Sequence, residues 1–168
     1  MGSTSVTETR VPARSRLSSS LLRPFYDRVE IGVVMIVRTL TEAVHDAKRH
    51  ARGPGWESRR IILKADGMGH SFHDTIVKEG AELHLHYKHH FETNYCISGE
   101  GEVLDVKSGT AHKIVPGTLY ALDQHDEHVL RATKGDLRLI CVFTPPLSGL
   151  ETHRADGSFP ADAESGDH

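Results

Sequence analysis

The chain has 168 residues, a formal net charge of −3 with histidine neutral, and 38% hydrophobic residues. That length suits one domain able to bury a core without disulfide staples. No apolar run approaches the roughly 20 residues that span a bilayer, and the mild acidity gives no electrostatic reason to expect nucleic acid or an anionic membrane as partner. Cys96 and Cys141 form no CxxC pair, and with no secretory signal the expected compartment is the reducing cytoplasm. Histidine is the anomaly: thirteen in all, with His84, His86, His89 and His90 close together, which invites a metal hypothesis.

In chain order, residues 1–34 carry Arg10, Arg14, Arg16, Arg23 and Arg28, the run Ser18-Ser19-Ser20 and few acids. A transit peptide, a disordered extension and a mis-chosen start before Met35 all stay open as readings. The patch Val33 to Val37 equally reads as a first strand. Thr39 or Thr41 is expected to cap a helix with Glu42 in its first turn. That helix should run to about Arg52, where Gly53-Pro54-Gly55 stops it. Beyond it the pattern is β: Trp56 to Leu63, Ser71 to Val77, Glu82 to Lys88, Phe91 to Ile97, Val103 to Val106, His112 to Val115, Leu119 to Leu122, His128 to Ala132 and Leu137 to Phe143. Glycine-containing turn signals such as Gly99-Glu100-Gly101, Pro116-Gly117 and Lys134-Gly135-Asp136 separate several of them. Many short strands with one short N-terminal helix predict an all-β jelly-roll barrel. A single domain is expected over residues 35–154, followed by an acidic tail at 155–168 that frays.

In a strand, alternate residues share a face. His84, His86 and Lys88 therefore point one way, and Leu85 and Tyr87 the other. Gly80, His86, Glu92 and Gly99 fall at the spacing of the first cupin motif, with Lys88 in the place of its second histidine. A protonated lysine has no lone pair to donate, so one usual metal ligand is missing. Gly117, Asp123, His125 and His128 hold the places of the second motif, with His128 at the ligand position. Two separated segments thus agree on the fold, a single cupin double-stranded β-helix, while the ligand set is broken.

Longer blocks go further. His86-Tyr87-Lys88-His89-His90-Phe91-Glu92, Tyr95-Cys96-Ile97 with Gly99-Glu100-Gly101-Glu102-Val103, Pro116 through Asp123, His125-Asp126 with His128, and Cys141-Val142-Phe143-Thr144-Pro145 resemble the ectoine synthase family, in order, from Met35 to about Phe159. The extension before Met35 is the main departure. Thr93-Asn94 and Ser98 stand where the family more often reads Ala-Val and Glu. The resemblance implies a hydro-lyase that closes N-γ-acetyl-L-2,4-diaminobutyrate into the compatible solute ectoine, which protects against osmotic stress. The α-amine attacks the acetamide carbonyl carbon, and a carbinolamine then loses water. It also implies a homodimer and an iron(II) ion, or another divalent metal, held by Glu92, Tyr120 and His128. Trp56, Thr75, Tyr87, His90, Cys141, Phe143, Glu151 and His153 match family positions that line or hold the substrate. Glu151 is expected to pair with the substrate ammonium, and Trp56 and Phe143 to exclude water.

These residue types suit the chemistry. An amide carbonyl is a poor electrophile and hydroxide a poor leaving group, and a Lewis acid helps both. Amine and carbonyl share one molecule, so holding a folded conformer supplies a large effective molarity. Carboxylate, phenolate and imidazole form a set that suits iron(II). His86 stays open, a ligand by general cupin spacing and at most a pocket residue by the ectoine synthase pattern. A complete two-histidine motif would favour a metal-dependent dioxygenase, against which Lys88 stands. An attached DNA-binding domain would favour a sensory cupin, and residues 1–34 are too short and unpatterned to supply one.

Overall fold

Two long strands, β5 (Phe91–Asp105) and β8 (His128–Thr144), run antiparallel along their length and form the spine of the molecule. The computed structural model describes residues 35–151 and Gly157. The readings that fall on residues 1–34, on His153 and, apart from Gly157, on the tail 155–168 lie outside that range; Gly157 itself is buried and its carbonyl accepts from His86 N–H at 3.2 Å. Backbone packing divides the chain into residues 1–36 and 37–168, and everything below concerns the second unit.

Thr39 caps α1 (Leu40–His45): its side chain accepts from Glu42 N–H at 3.2 Å, and Glu42 reaches back to Thr39 N–H at 2.6 Å. The helix ends at His45, well short of Arg52. The segment expected to complete it is instead β1 (His50–Gly53), paired antiparallel with β2 (Trp56–Ile62). Pro54-Gly55 is the reason. Gly55 takes φ 76°, so the pair closes a two-residue hairpin loop and does not cap a helix. Met35 to Val37 are not in a strand.

After a short 3₁₀ turn (Lys64–Asp66) come β3 (Ser71–Val77), β4 (Glu82–Leu85), β5, β6 (Thr110–Ile114), β7 (Leu119–Leu122) and β8. The sheet order is β1-β2-β3-β8-β5-β6, with β4 also on β8 and β7 also on β5. Each spine strand changes partners midway. The end of β8 from Leu137 to Phe143 pairs with β3, and its start from His128 to Arg131 pairs with β4. The start of β5 from Glu92 to Tyr95 pairs with β7, and its end from Gly101 to Asp105 with β6. One layer is therefore β1-β2-β3-β8-β5-β7 and the other β4-β8-β5-β6, joined where the spine strands bend. This is the predicted double-sheet cupin barrel.

The predicted breaks inside β5 and β8 are this bend. Register shifts between Cys96 and Gly101 bulge the ladder without ending it. Gly101 is required there, because a Cβ on it would sit 2.3 Å from the Arg131 carbonyl oxygen. The core between the layers joins Leu137, Leu139 and Cys96 to Leu85, Leu130, Val103 and Ile114. Each fully buried aliphatic side chain contributes roughly 1.5–3 kcal/mol. No helix among the described residues is long and apolar enough to cross a membrane.

Candidate active site

Residues directly opposite in a ladder present side chains on the same face. Following the register from strand to strand gives one continuous inward row: Arg60 on β2, His73 on β3, Cys141 on β8, Asn94 on β5 and Tyr120 on β7. The neighbouring row is Ser71, Phe143, Glu92 and Leu122. On the other side Ser58 and Thr75 continue the pattern, their hydroxyls 3.3 Å apart. These rows, apart from Ser71 and Leu122, line one cavity together with Trp56, Leu83, Leu85, Tyr87 and Leu130.

Seven residues singled out from sequence meet there: Trp56, Thr75, Tyr87, Glu92, Tyr120, Cys141 and Phe143. Tyr87 packs edge-on against Phe143, with centroids 5.2 Å apart, and its ring lies 6.1 Å from that of His128. His128 lines a groove on the far side of Tyr120, which belongs to the walls of both spaces. His90 is buried behind Phe143; its ring is edge-on to Phe143 at 6.5 Å and its Nδ1 donates to the Pro145 carbonyl oxygen at 2.8 Å. Glu151 is buried, but its carboxylate accepts from Ser148 N–H at 2.6 Å and Gly149 N–H at 2.8 Å. Its backbone carbonyl accepts from Arg60 Nη2 at 2.7 Å, so the residue positions Arg60 and does not line the cavity.

Sequence reasoning passed over Arg60, His73 and Ser58, and marked Asn94 only as a departure from the family pattern. Arg60 is 1% exposed and is the single arginine or lysine among the described residues lining the cavity. The alternation Trp56, Ser58, Arg60 could have placed it on the face of Trp56. His84 is exposed and bonded to Glu82 at 2.9 Å, and His89 is exposed as well. His86 is half-buried and lies close enough to His128 to disfavour its protonation.

Burial sets the electrostatics. It pushes the Glu92 carboxyl up to about 8, with the nearby Asn94 amide acting in the opposite direction. It pushes the Tyr87 and Tyr120 phenols and the Cys141 thiol well above their ordinary ranges, and the Glu92 charge adds to each shift. Burial lowers His128 and, more strongly, His73, so both are neutral imidazoles at neutral pH. Nδ1 of His128 lies 3.0 Å from the Asp126 carbonyl oxygen and must donate to it. Nε2 is then a bare lone pair.

That atom and Glu92 Oε2 are buried without hydrogen-bond partners. Among the described residues no three His, Cys, Asp or Glu side chains converge as a metal cluster. Tyr120 lines both the cavity that holds Glu92 and the groove that holds His128.

A cupin with one interior cavity, apolar-walled and carrying a few buried polar groups, is the class that this barrel defines. The model of the ectoine synthase family matches residues 35–163. The chain is 50% identical over 131 residues to the L-ectoine synthase of Saccharophagus degradans, covering 78% of this chain and 98% of that protein. It is 54% identical over 127 residues to the L-ectoine synthase of Desulfatibacillum aliphaticivorans, covering 75% and 97%. The crystal structure of ectoine synthase from P. lautus superposes with TM-score 0.64 at 49% identity, over 68% of this chain and 81% of that one. KdgF from Halomonas sp., at 19% identity and TM-score 0.50 over 57% and 86%, shares the fold. The chain belongs to the ectoine synthase family, and with it to the hydro-lyases.

Proposed function

We propose that the chain closes N-γ-acetyl-L-2,4-diaminobutyrate into ectoine with loss of water, in the cytoplasm, as part of osmoprotection. The observation that carries the reading is the convergence of Glu92, Tyr120 and Tyr87 on one cavity, with the buried lone pair of His128 in the adjoining groove that Tyr120 also lines. Family membership supports it.

The donor set fits one divalent ion. Glu92 offers a carboxyl that burial holds protonated up to about 8 and that ionises beside a cation, and His128 offers a neutral imidazole, each with a buried atom lacking a partner. Tyr120, whose phenol is held protonated by burial and the Glu92 charge, becomes an anionic donor beside a cation. When bound, iron(II) supplies Lewis acidity toward the acetamide carbonyl and the departing oxygen.

The chain's own residues do the rest. Arg60 faces the cavity with a buried guanidinium whose Nη1 lies 4.0 Å from the Glu151 carboxylate and whose Nε has no partner, a group suited to take the substrate carboxylate as well. Trp56 and Phe143 give the cavity apolar walls that keep solvent from a reaction releasing water. Tyr87 presents a neutral hydroxyl to the same space. The enclosure holds the flexible diamino acid folded, so that its amine meets its own acetamide carbon.

The proposed assembly is a homodimer. Tyr95, Ile97 and Phe91 on the outer face of β5 are 44%, 40% and 47% exposed, and Leu119, directly opposite Tyr95 on β7, is 60% exposed. Such an apolar strip suits a second copy of the chain. The test of the function is incubation of the purified protein with iron(II) and N-γ-acetyl-L-2,4-diaminobutyrate, followed by mass spectrometry. A product lighter by one water supports the reading; unchanged substrate refutes it.

A further inference from the structure

Asn94 lies at the centre of the inward row, between Cys141 on β8 and Tyr120 on β7, two residues along the same face from Glu92. It is 1% exposed and lines the cavity, and neither Oδ1 nor Nδ2 makes a hydrogen bond. A buried amide left unsatisfied carries the full cost of losing its water. A strand interior gives no reason to keep one where valine would pack. Nδ2 is near enough to Glu92 to favour its ionised form, so a donor-side neighbour exists. On the acceptor side the flanking groups are a thiol and a phenol, and neither bonds to Oδ1.

We propose that Asn94 is a substrate-binding residue of this chain. Its Nδ2 donates to the acetamide oxygen of the substrate, and its Oδ1 accepts from the amine N–H that attacks the same carbon. The assignment rests on the ring-closure reading above. A ring-closing substrate brings one acceptor and one donor together at the reacting carbon. A single carboxamide has the complementary pair on one rigid plane. Asn94 thereby aligns nucleophile and electrophile and takes no proton itself.

The test is Asn94→Val, with Asn94→Ala as a second variant of different volume. Removing a buried amide whose Oδ1 has no partner leaves the melting temperature of the ligand-free protein unchanged or raised. Iron content stays at the wild-type level. kcat/KM for N-γ-acetyl-L-2,4-diaminobutyrate falls roughly tenfold or more, and the rise in melting temperature on adding that compound shrinks. Unchanged kcat/KM and an unchanged substrate-induced shift in both variants overturn the proposal. So does a fall in activity that merely tracks lost iron, which would make Asn94 a support for Glu92. If the wild-type protein itself neither converts nor is stabilised by the compound, the ring-closure reading fails, and this assignment fails with it. A wild type that responds with variants that respond equally sinks the Asn94 assignment alone.

Discussion

Tyr87 and His128 face each other with ring centroids 6.1 Å apart, and this contact connects the two halves of the site. Tyr87 lies just beyond β4 in the cavity with Glu92, while His128 opens β8 in the groove behind Tyr120. His125 holds the arrangement. In the left-handed region at φ 55°, it donates from Nδ1 to the Tyr87 carbonyl oxygen at 2.9 Å and stacks on Phe91 at 4.8 Å. The second motif segment thus fixes the residue that approaches both candidate ligands.

Metal content separates the ligand assignments. Glu92→Ala and His128→Ala are each expected to lose most bound iron and to abolish ring closure, since each removes one of three protein donors. His86→Ala should keep iron while losing about 10–100-fold in turnover, the range for a neighbour of a ligand, and His84→Ala should be nearly unchanged. Elemental analysis beside turnover reads all four. Iron loss in His86→Ala as complete as in Glu92→Ala would move the centre toward the general cupin set and displace Tyr120.

Arg60→Met keeps the length of the side chain and removes the buried cation. KM is expected to rise tenfold or more, about 1.4 kcal/mol, with iron content unchanged. A KM within twofold of wild type would show that the substrate carboxylate sits elsewhere.

Asp66 carries a pH-dependent share of the stability. Partial burial alone would raise its carboxyl, but hydrogen bonds from Arg49, Leu63 N–H and Arg38 outweigh it and hold the group at about 2, below the ordinary 3.8. A depressed carboxylate stabilises the folded state above its unfolded value, and the contribution fades as pH falls toward 2. The shift corresponds to about 2 kcal/mol. Urea denaturation of Asp66→Asn should show that loss at pH 7 and a gap to wild type that closes on acidification. A gap that does not change with pH would contradict it.

The outer strip of β5 and β7 predicts the oligomeric state. Leu119→Lys and Tyr95→Lys place charge on an apolar contact and should turn a dimer into a folded monomer by sedimentation. A wild-type monomer, or charged variants of unchanged mass, would remove this face from the assembly.

The strands bounded by clear turns, Ser71–Val77 and Leu119–Leu122, could be read from the chain with their observed limits. The helix could not, because Gly53-Pro54-Gly55 signals a break without saying what precedes it; pairing with β2 made His50–Gly53 a strand. β5 and β8 were split for a related reason. Gly101 serves close approach to the Arg131 backbone, a tertiary demand that resembles a turn in sequence. For the site, motif spacing marked Glu92 and His128, but Arg60, His73 and Asn94 carry no motif. They become a group only when the register of β2, β3, β8 and β5 places them in one row.

The most direct test of the account is to titrate metal-free protein with iron(II) while following conversion of N-γ-acetyl-L-2,4-diaminobutyrate. The account predicts that the rate of water-losing ring closure rises in proportion to bound iron and levels off at one ion per chain, and that Glu92→Ala shows neither binding nor turnover. Full-rate ring closure by the metal-free protein, or tight iron binding by Glu92→Ala, would contradict it.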